Sequence, residues 1–134
     1  MSTPATLEAL LIEAQRLFSL NDFPAAQVVF EQALALRPNF PEVLNNLACA
    51  LEAQGQYSAA QARLEQALEC APSFADARAN LGRVLLRDGS PEAAKRQLAL
   101  ALETMPNHVA SLHYLALSEK ALGNYASAEA ALSQ

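Results

Sequence analysis

Apolar and polar positions along this chain follow two superposed rhythms. Over short stretches the apolar residues return every three or four positions: Leu44, Leu47, Ala48 and Leu51, then Leu81, Gly82 and Leu85, then Leu112, Leu115 and Ala116. That spacing lines one face of a helix. The whole pattern then recurs. Pro38, Pro72 and Pro106 stand 34 residues apart, as do Ala33, Ala67 and Ala101, and so do Ala26, Ala60, Ala94 and Ala128. A fixed period of this length means one small helical unit stacked on copies of itself, burying apolar surface only between neighbours.

Units start at Leu7, Pro41, Ala75 and Val109, giving 7–40, 41–74, 75–108 and an incomplete 109–134. Each unit reads as two helices. The spacing predicts first helices near 7–20, 41–54, 75–88 and 109–122, and second helices near 24–36, 58–70, 91–104 and 125–134. Between them stand Asn21-Asp22, Gly55-Gln56, Gly89-Ser90 and Gly123-Asn124. Glycine after the last periodic residue supplies a left-handed helix cap, and Asn tolerates the same conformation. Pro24 and Pro91 suit a first helical turn, and Ser90 is placed to cap the helix that follows it. Asn39, Ser73 and Asn107 are expected to cap the next first helices, with Glu42 and Asp76 completing capping boxes in two of the three.

Small residues fall where two helices must nearly touch: Ala14, Ala48, Gly82 and Ala116 at one position, Ala26, Ala60, Ala94 and Ala128 at a second, Ala33, Ala67 and Ala101 at a third. Phe30, Leu64, Leu98 and Leu132 are expected to fill the space between them. Alanine makes up roughly a fifth of the chain and is the best helix former.

Taken together, these positions resemble the tetratricopeptide repeat. Repeat two carries the pattern through Leu44, Leu47, Ala48, Leu51, Gly55, Tyr57, Ala60, Leu64, Ala67 and Pro72; repeat three through Leu81, Gly82, Leu85, Gly89, Ala94, Leu98, Ala101 and Pro106. Repeat one departs at Glu13, where Leu is usual, and repeat four stops after Tyr125, Ala128 and Leu132. The resemblance implies an all-α fold: a right-handed superhelical solenoid of antiparallel helix pairs, about three and three-quarter units, forming a single domain over residues 1–134.

It also implies that the first helices line a concave groove. The groove residues expected on that basis are Asn45, Asn46, Cys49, Asn80, Arg83, Arg87, His113, Tyr114 and Leu117, flanked by Leu11, Ile12, Gln15, Phe18, Glu52, Ala79 and Lys120. Asn46 and Asn80 occupy equivalent places one repeat apart. An Asn amide both donates and accepts, so it can pair with a peptide backbone whatever the side chain. The segments Leu44-Asn45-Asn46-Leu47-Ala48 and Ala79-Asn80-Leu81-Gly82 are similar to repeats of O-linked N-acetylglucosamine transferases, where asparagines hold an extended polypeptide. Ile12 and Tyr114 interrupt such a ladder here. A carboxylate clamp for chaperone tails needs Lys or Arg at set points; this chain has Leu11, Gln15, Asn46, Asp76 and Asn80 at the clamp positions or, one repeat on, Asn45, Cys49, Asn80, Ala110 and Tyr114. The asparagine survives but the cations are absent in both frames, so no tight binding of such a tail is expected. Glu52 lies toward the first half of the inner face and Arg83, Arg87 and Lys120 toward the second, a grouping suited to a carboxylate-bearing segment. Arg78 replaces the Leu found at positions 10, 44 and 112 and is expected to run its stem along the surface.

The remaining chemistry narrows the function. A formal net charge of −5 argues against nucleic acid, which calls for a basic face. No apolar run reaches the length of a membrane span, and Met1-Ser2-Thr3-Pro4 does not open a signal peptide. Cys49 and Cys70 form no disulfide framework, which fits a reducing compartment and a cytoplasmic default. His108 and His113 lack acid or thiol partners at ligand spacing, so a surface or partner-contacting role is expected and no metal. No nucleophile–base pair or phosphate loop is visible; neither catalysis nor a cofactor is expected. The sequence ends inside a second helix, leaving Leu112, Leu115, Leu122 and Leu132 as an expected apolar edge that pairs with another copy, meets a continuation of the chain, or is covered by the last helix lying differently. The leading reading is a non-catalytic scaffold that holds a peptide or helix of another protein in its groove. The alternatives are an N-terminal regulatory or substrate-selecting domain of a larger enzyme, and a self-assembling structural repeat.

Overall fold

The computed structural model describes residues 6–123. Seven helices follow one another: α1 (Leu7–Ser19), α2 (Phe23–Leu36), α3 (Pro41–Ala53), α4 (Tyr57–Cys70), α5 (Ala75–Arg87), α6 (Pro91–Thr104) and α7 (Val109–Ala121). These bounds fall within a residue or so of those set by the apolar spacing. The helix expected over 125–134, with Ala128 and Leu132, lies outside the described residues. No strand occurs among the described residues, so the fold is an all-α helical repeat of paired helices.

The contacts gather into two compact units, Met1–Pro72 and Ser73–Gln134. In the first, α1 pairs with α2, α2 meets α3, and α3 pairs with α4. In the second, α5 pairs with α6, and α7 packs on both. The same turn follows each first helix. Asn21, Gly55, Gly89 and Gly123 all have positive φ, at 62°, 76°, 85° and 74°. After α5, Ser90 N–H donates to the Leu85 carbonyl at 2.8 Å and Gly89 N–H to Leu86 at 3.2 Å, the paired bonds that satisfy a helix's last carbonyls. Gln56 and Gly55 do the same after α3, and Asp22 and Asn21 after α1.

The expected small positions are the core of each pair. Ala14, Ala26, Ala48, Ala60 and Ala94 are 0% exposed, and Phe30, Leu64 and Leu98 fill the gaps at 1%, 0% and 0%. Gly82 shows why the position must stay small: an added Cβ would lie 2.5 Å from Leu98 Cγ. Ala116 departs from this set. It is exposed, as is Leu112 at 48%.

The caps differ from the sequence expectation. Asn39, Ser73 and Asn107 each sit in the loop turn one residue too early; the N-cap residues are Phe40, Phe74 and His108. Phe40 and Phe74 make no side-chain cap bond, so the capping boxes with Glu42 and Asp76 do not form. Ser90 is the N-cap of α6 but its hydroxyl does not cap the backbone. The side-chain caps lie elsewhere: Thr6 accepts from Ala9 N–H at 3.1 Å, and Asp22 from Ala25 N–H at 3.4 Å.

Candidate functional site on the first helices

The four first helices carry the residues singled out above. On α3, Asn45, Asn46 and Cys49 are half-buried, held in place by neighbours at zero exposure, Leu44, Leu47 and Ala48. Neither cysteine is in a disulfide; Cys49 is half-buried and Cys70 exposed. Glu52, expected toward the first half of the inner face, is buried at 3% exposure. On α1, Ile12 stands 72% exposed and, with Leu11, Gln15, Arg16 and Ser19, borders a shallow recess. Phe18 meets Phe23 edge to face at 5.2 Å. Arg16 donates to Glu13 through Nε at 3.0 Å and through Nη2 at 2.7 Å. The hydrogen bond, followed by the opposite charge, holds the Glu13 carboxyl below the usual carboxylate range and the guanidinium above its own. The departure at Glu13 is thus paired with one at Arg16, whose register equivalents Ala50, Val84 and Ser118 are all buried.

The second unit brings α5 and α7 together. Asn80 and Arg83 are half-buried and Arg87 is exposed on α5; Tyr114 is half-buried, and His113 and Leu117 are exposed on α7. The Arg83 guanidinium lies 5.7 Å from the Tyr114 ring centroid, within range of a cation–π attraction. His113 meets the same ring edge to face at 5.1 Å. Ala79, expected beside this group, is buried at 1% exposure. Arg78 does not simply run along the surface: its Nη1 donates to Gln97 Oε1 on α6 at 2.7 Å.

Three polar residues of the second unit were not legible as partners in the sequence. His108 is not a surface histidine; its side chain is 11% exposed and bonds to Asp76 and Ser111. Ser111 and Ser118 are fully buried, at the register positions of Val43 and Ala77 and of Ala50 and Val84. Ser118 Oγ donates to the Tyr114 carbonyl at 2.8 Å. The usable signal was the register itself: a hydroxyl at a position that is apolar one and two repeats earlier has to find a partner. Among the described residues no group of three or more His, Cys, Asp or Glu could hold a metal, and no helix is long and apolar enough to cross a membrane.

Antiparallel helix pairs on a 34-residue period, with left-handed turns and small residues at the crossings, define a helical-repeat module. A model of the tetratricopeptide repeat matches residues 17–73 and 51–119, and the chain belongs to that family. No curated protein sequence matches it significantly. Among solved structures it is similar to the first such domain of Spaghetti (RPAP3) bound to the HSP90 peptide SRMEEVD, with TM-score 0.83, 20% identity, and coverage of 87% of this chain and 93% of that one. The Sgt2 domain of Aspergillus fumigatus superposes with TM-score 0.84 at 22% identity, covering 93% and 88%. A Thermobaculum terrenum O-GlcNAc transferase gives TM-score 0.79 at 29% identity; the match covers 89% of this chain and 23% of that enzyme.

Proposed function

We propose that this chain is a non-catalytic scaffold that holds a peptide or helix of another protein along the inner faces of its first helices. Membership of a family of interaction modules supports the general role. One observation carries the specific reading: within the second unit, Asn80, Arg83 and Tyr114 are all half-buried, and the guanidinium and ring stack at 5.7 Å. Aromatic and Arg side chains anchored in this way are the groups that most often dominate binding energy. A preformed rigid face also lowers the ordering cost of association. Asn45, Asn46 and Cys49 on α3, and Arg87, His113 and Leu117 beside the anchor, complete the proposed contact residues.

A second reading has its own support. The 29% identity to an O-GlcNAc transferase, over 23% of that enzyme's length, favours a substrate-selecting segment of a larger enzyme. Its experiment is a reading of the genomic frame around these residues, where a linked catalytic domain would favour it. The scaffold reading is tested by crosslinked pull-down. Partner recovery should fall at least tenfold in the Asn46→Ala/Asn80→Ala and Tyr114→Ala variants, since such a loss needs only about 1.4 kcal/mol of lost binding energy. Unchanged recovery removes the inner-face proposal.

A further inference from the structure

Asp76, His108 and Ser111 form a polar cluster that the proposed contact face does not use. His108 is the N-cap residue of α7. Its Nδ1 accepts from the Ser111 amide N–H at 3.3 Å and lies 2.8 Å from the Ser111 hydroxyl. With Nδ1 occupied as an acceptor, the ring proton belongs on Nε2, where it is donated to Asp76 Oδ1 at 2.6 Å. Asp76 belongs to the first turn of α5. The cluster therefore ties the start of α7 to the start of α5.

Register shows that this junction has been rebuilt. His108 stands where Phe40 and Phe74 stand in earlier repeats, and Ser111 where Val43 and Ala77 stand. Two apolar residues are replaced together, and the replacements bond to each other. Ser111 is 0% exposed, so its hydroxyl needs such a partner. The residue types match a nucleophilic relay, but no substrate reaches a hydroxyl at that depth.

We infer that Asp76, His108 and Ser111 are a clasp that sets the register of α7 on α5, and that this register holds the Tyr114 ring against Arg83. Tyr114 lies one turn beyond Ser111, and the buried Ser118 fixes the turn after it through the Tyr114 carbonyl. A slip of α7 by one residue would swing Tyr114 about 100° around the helix axis, off the face it shares with Arg83. The clasp is thus a positioning device, and its role in binding rests on the scaffold reading above.

Its test needs no partner. Tyrosine-ring, Arg Nε–H and amide-exchange NMR on the full chain are compared for wild type, Asp76→Ala, His108→Ala and the double variant His108→Phe/Ser111→Ala. The double variant restores the residue types of the preceding junction. Both single variants should shift the Tyr114 and Arg83 signals, leave Tyr57 of α4 in place, and speed exchange over 109–114 about fivefold, as loss of a helix cap does. The double variant should regain protection while the Tyr114 signals stay displaced, because a phenyl ring and a methyl group fill the junction but cannot replace the bond from His108 to Asp76. Tyr114 and Arg83 signals that stay in place in the folded Asp76→Ala variant overturn the clasp; so do Tyr114 signals that return in the double variant. A failed pull-down would leave these spectra unchanged, so the two claims fail separately.

Discussion

Two glycines separate the two reasons a residue has to be small. Gly82 has no unusual backbone angle, yet a Cβ there would sit 2.5 Å from Leu98 Cγ. Gly89 has open space around it and a φ of +85°. Gly82→Ala should cost about 1–3 kcal/mol through overpacking. Gly89→Ala should cost about 1–2 kcal/mol through the left-handed backbone alone. Urea unfolding of both variants checks the sizes. Adding Leu98→Val then distinguishes the causes, because relief at residue 98 should recover stability only for Gly82→Ala. Asn21, at φ 62°, shows that the same turn accepts a second residue type.

At the scale of helices, register position alone does not fix an energy; covering does. Leu44 and Leu112 are equivalent in the repeat, but Leu44 is 0% exposed and Leu112 is 48% exposed. Leu44→Ala should therefore lose about 2–5 kcal/mol. Leu112→Ala should stay within about 1 kcal/mol of wild type in the same denaturation series, as surface changes usually do. Equal losses would mean that α7 is covered as α3 is. Helix positions were legible because the 3.6-residue and 34-residue rhythms agree at Leu44, Leu81, Ala60 and Ala94. The caps were misplaced by one residue because Asn39, Ser73 and Asn107 have cap chemistry, while the chain uses them in the turn before Phe40, Phe74 and His108. No local pattern separates those two uses of a short polar side chain. The candidate faces were legible as positions and not as pairings. Arg83 on Tyr114, and His108 on Asp76, join residues about one repeat apart, and only packing decides which of them meet.

Across the molecule, the fold alone names no ligand, and particular side chains decide what can bind. Spaghetti (RPAP3) holds an acidic HSP90 peptide on a similar backbone. Here the clamp positions carry Leu11, Gln15, Asn46, Asp76 and Asn80. Asp76 is moreover engaged by His108 and brings negative charge where an acidic tail would need a cation. Calorimetry with SRMEEVD should show no submicromolar binding; a tight complex would mean that other cations have taken over the clamp's work. The proposed partner lies against the inner faces of the first helices. Photocrosslinking from the cell tests it most directly, with the crosslinking group placed at Tyr114 in one protein and at the exposed Glu65 of α4 in another. One protein should be captured repeatedly from position 114 and not from position 65. Equal capture from both positions, or capture from position 65 alone, would contradict that placement.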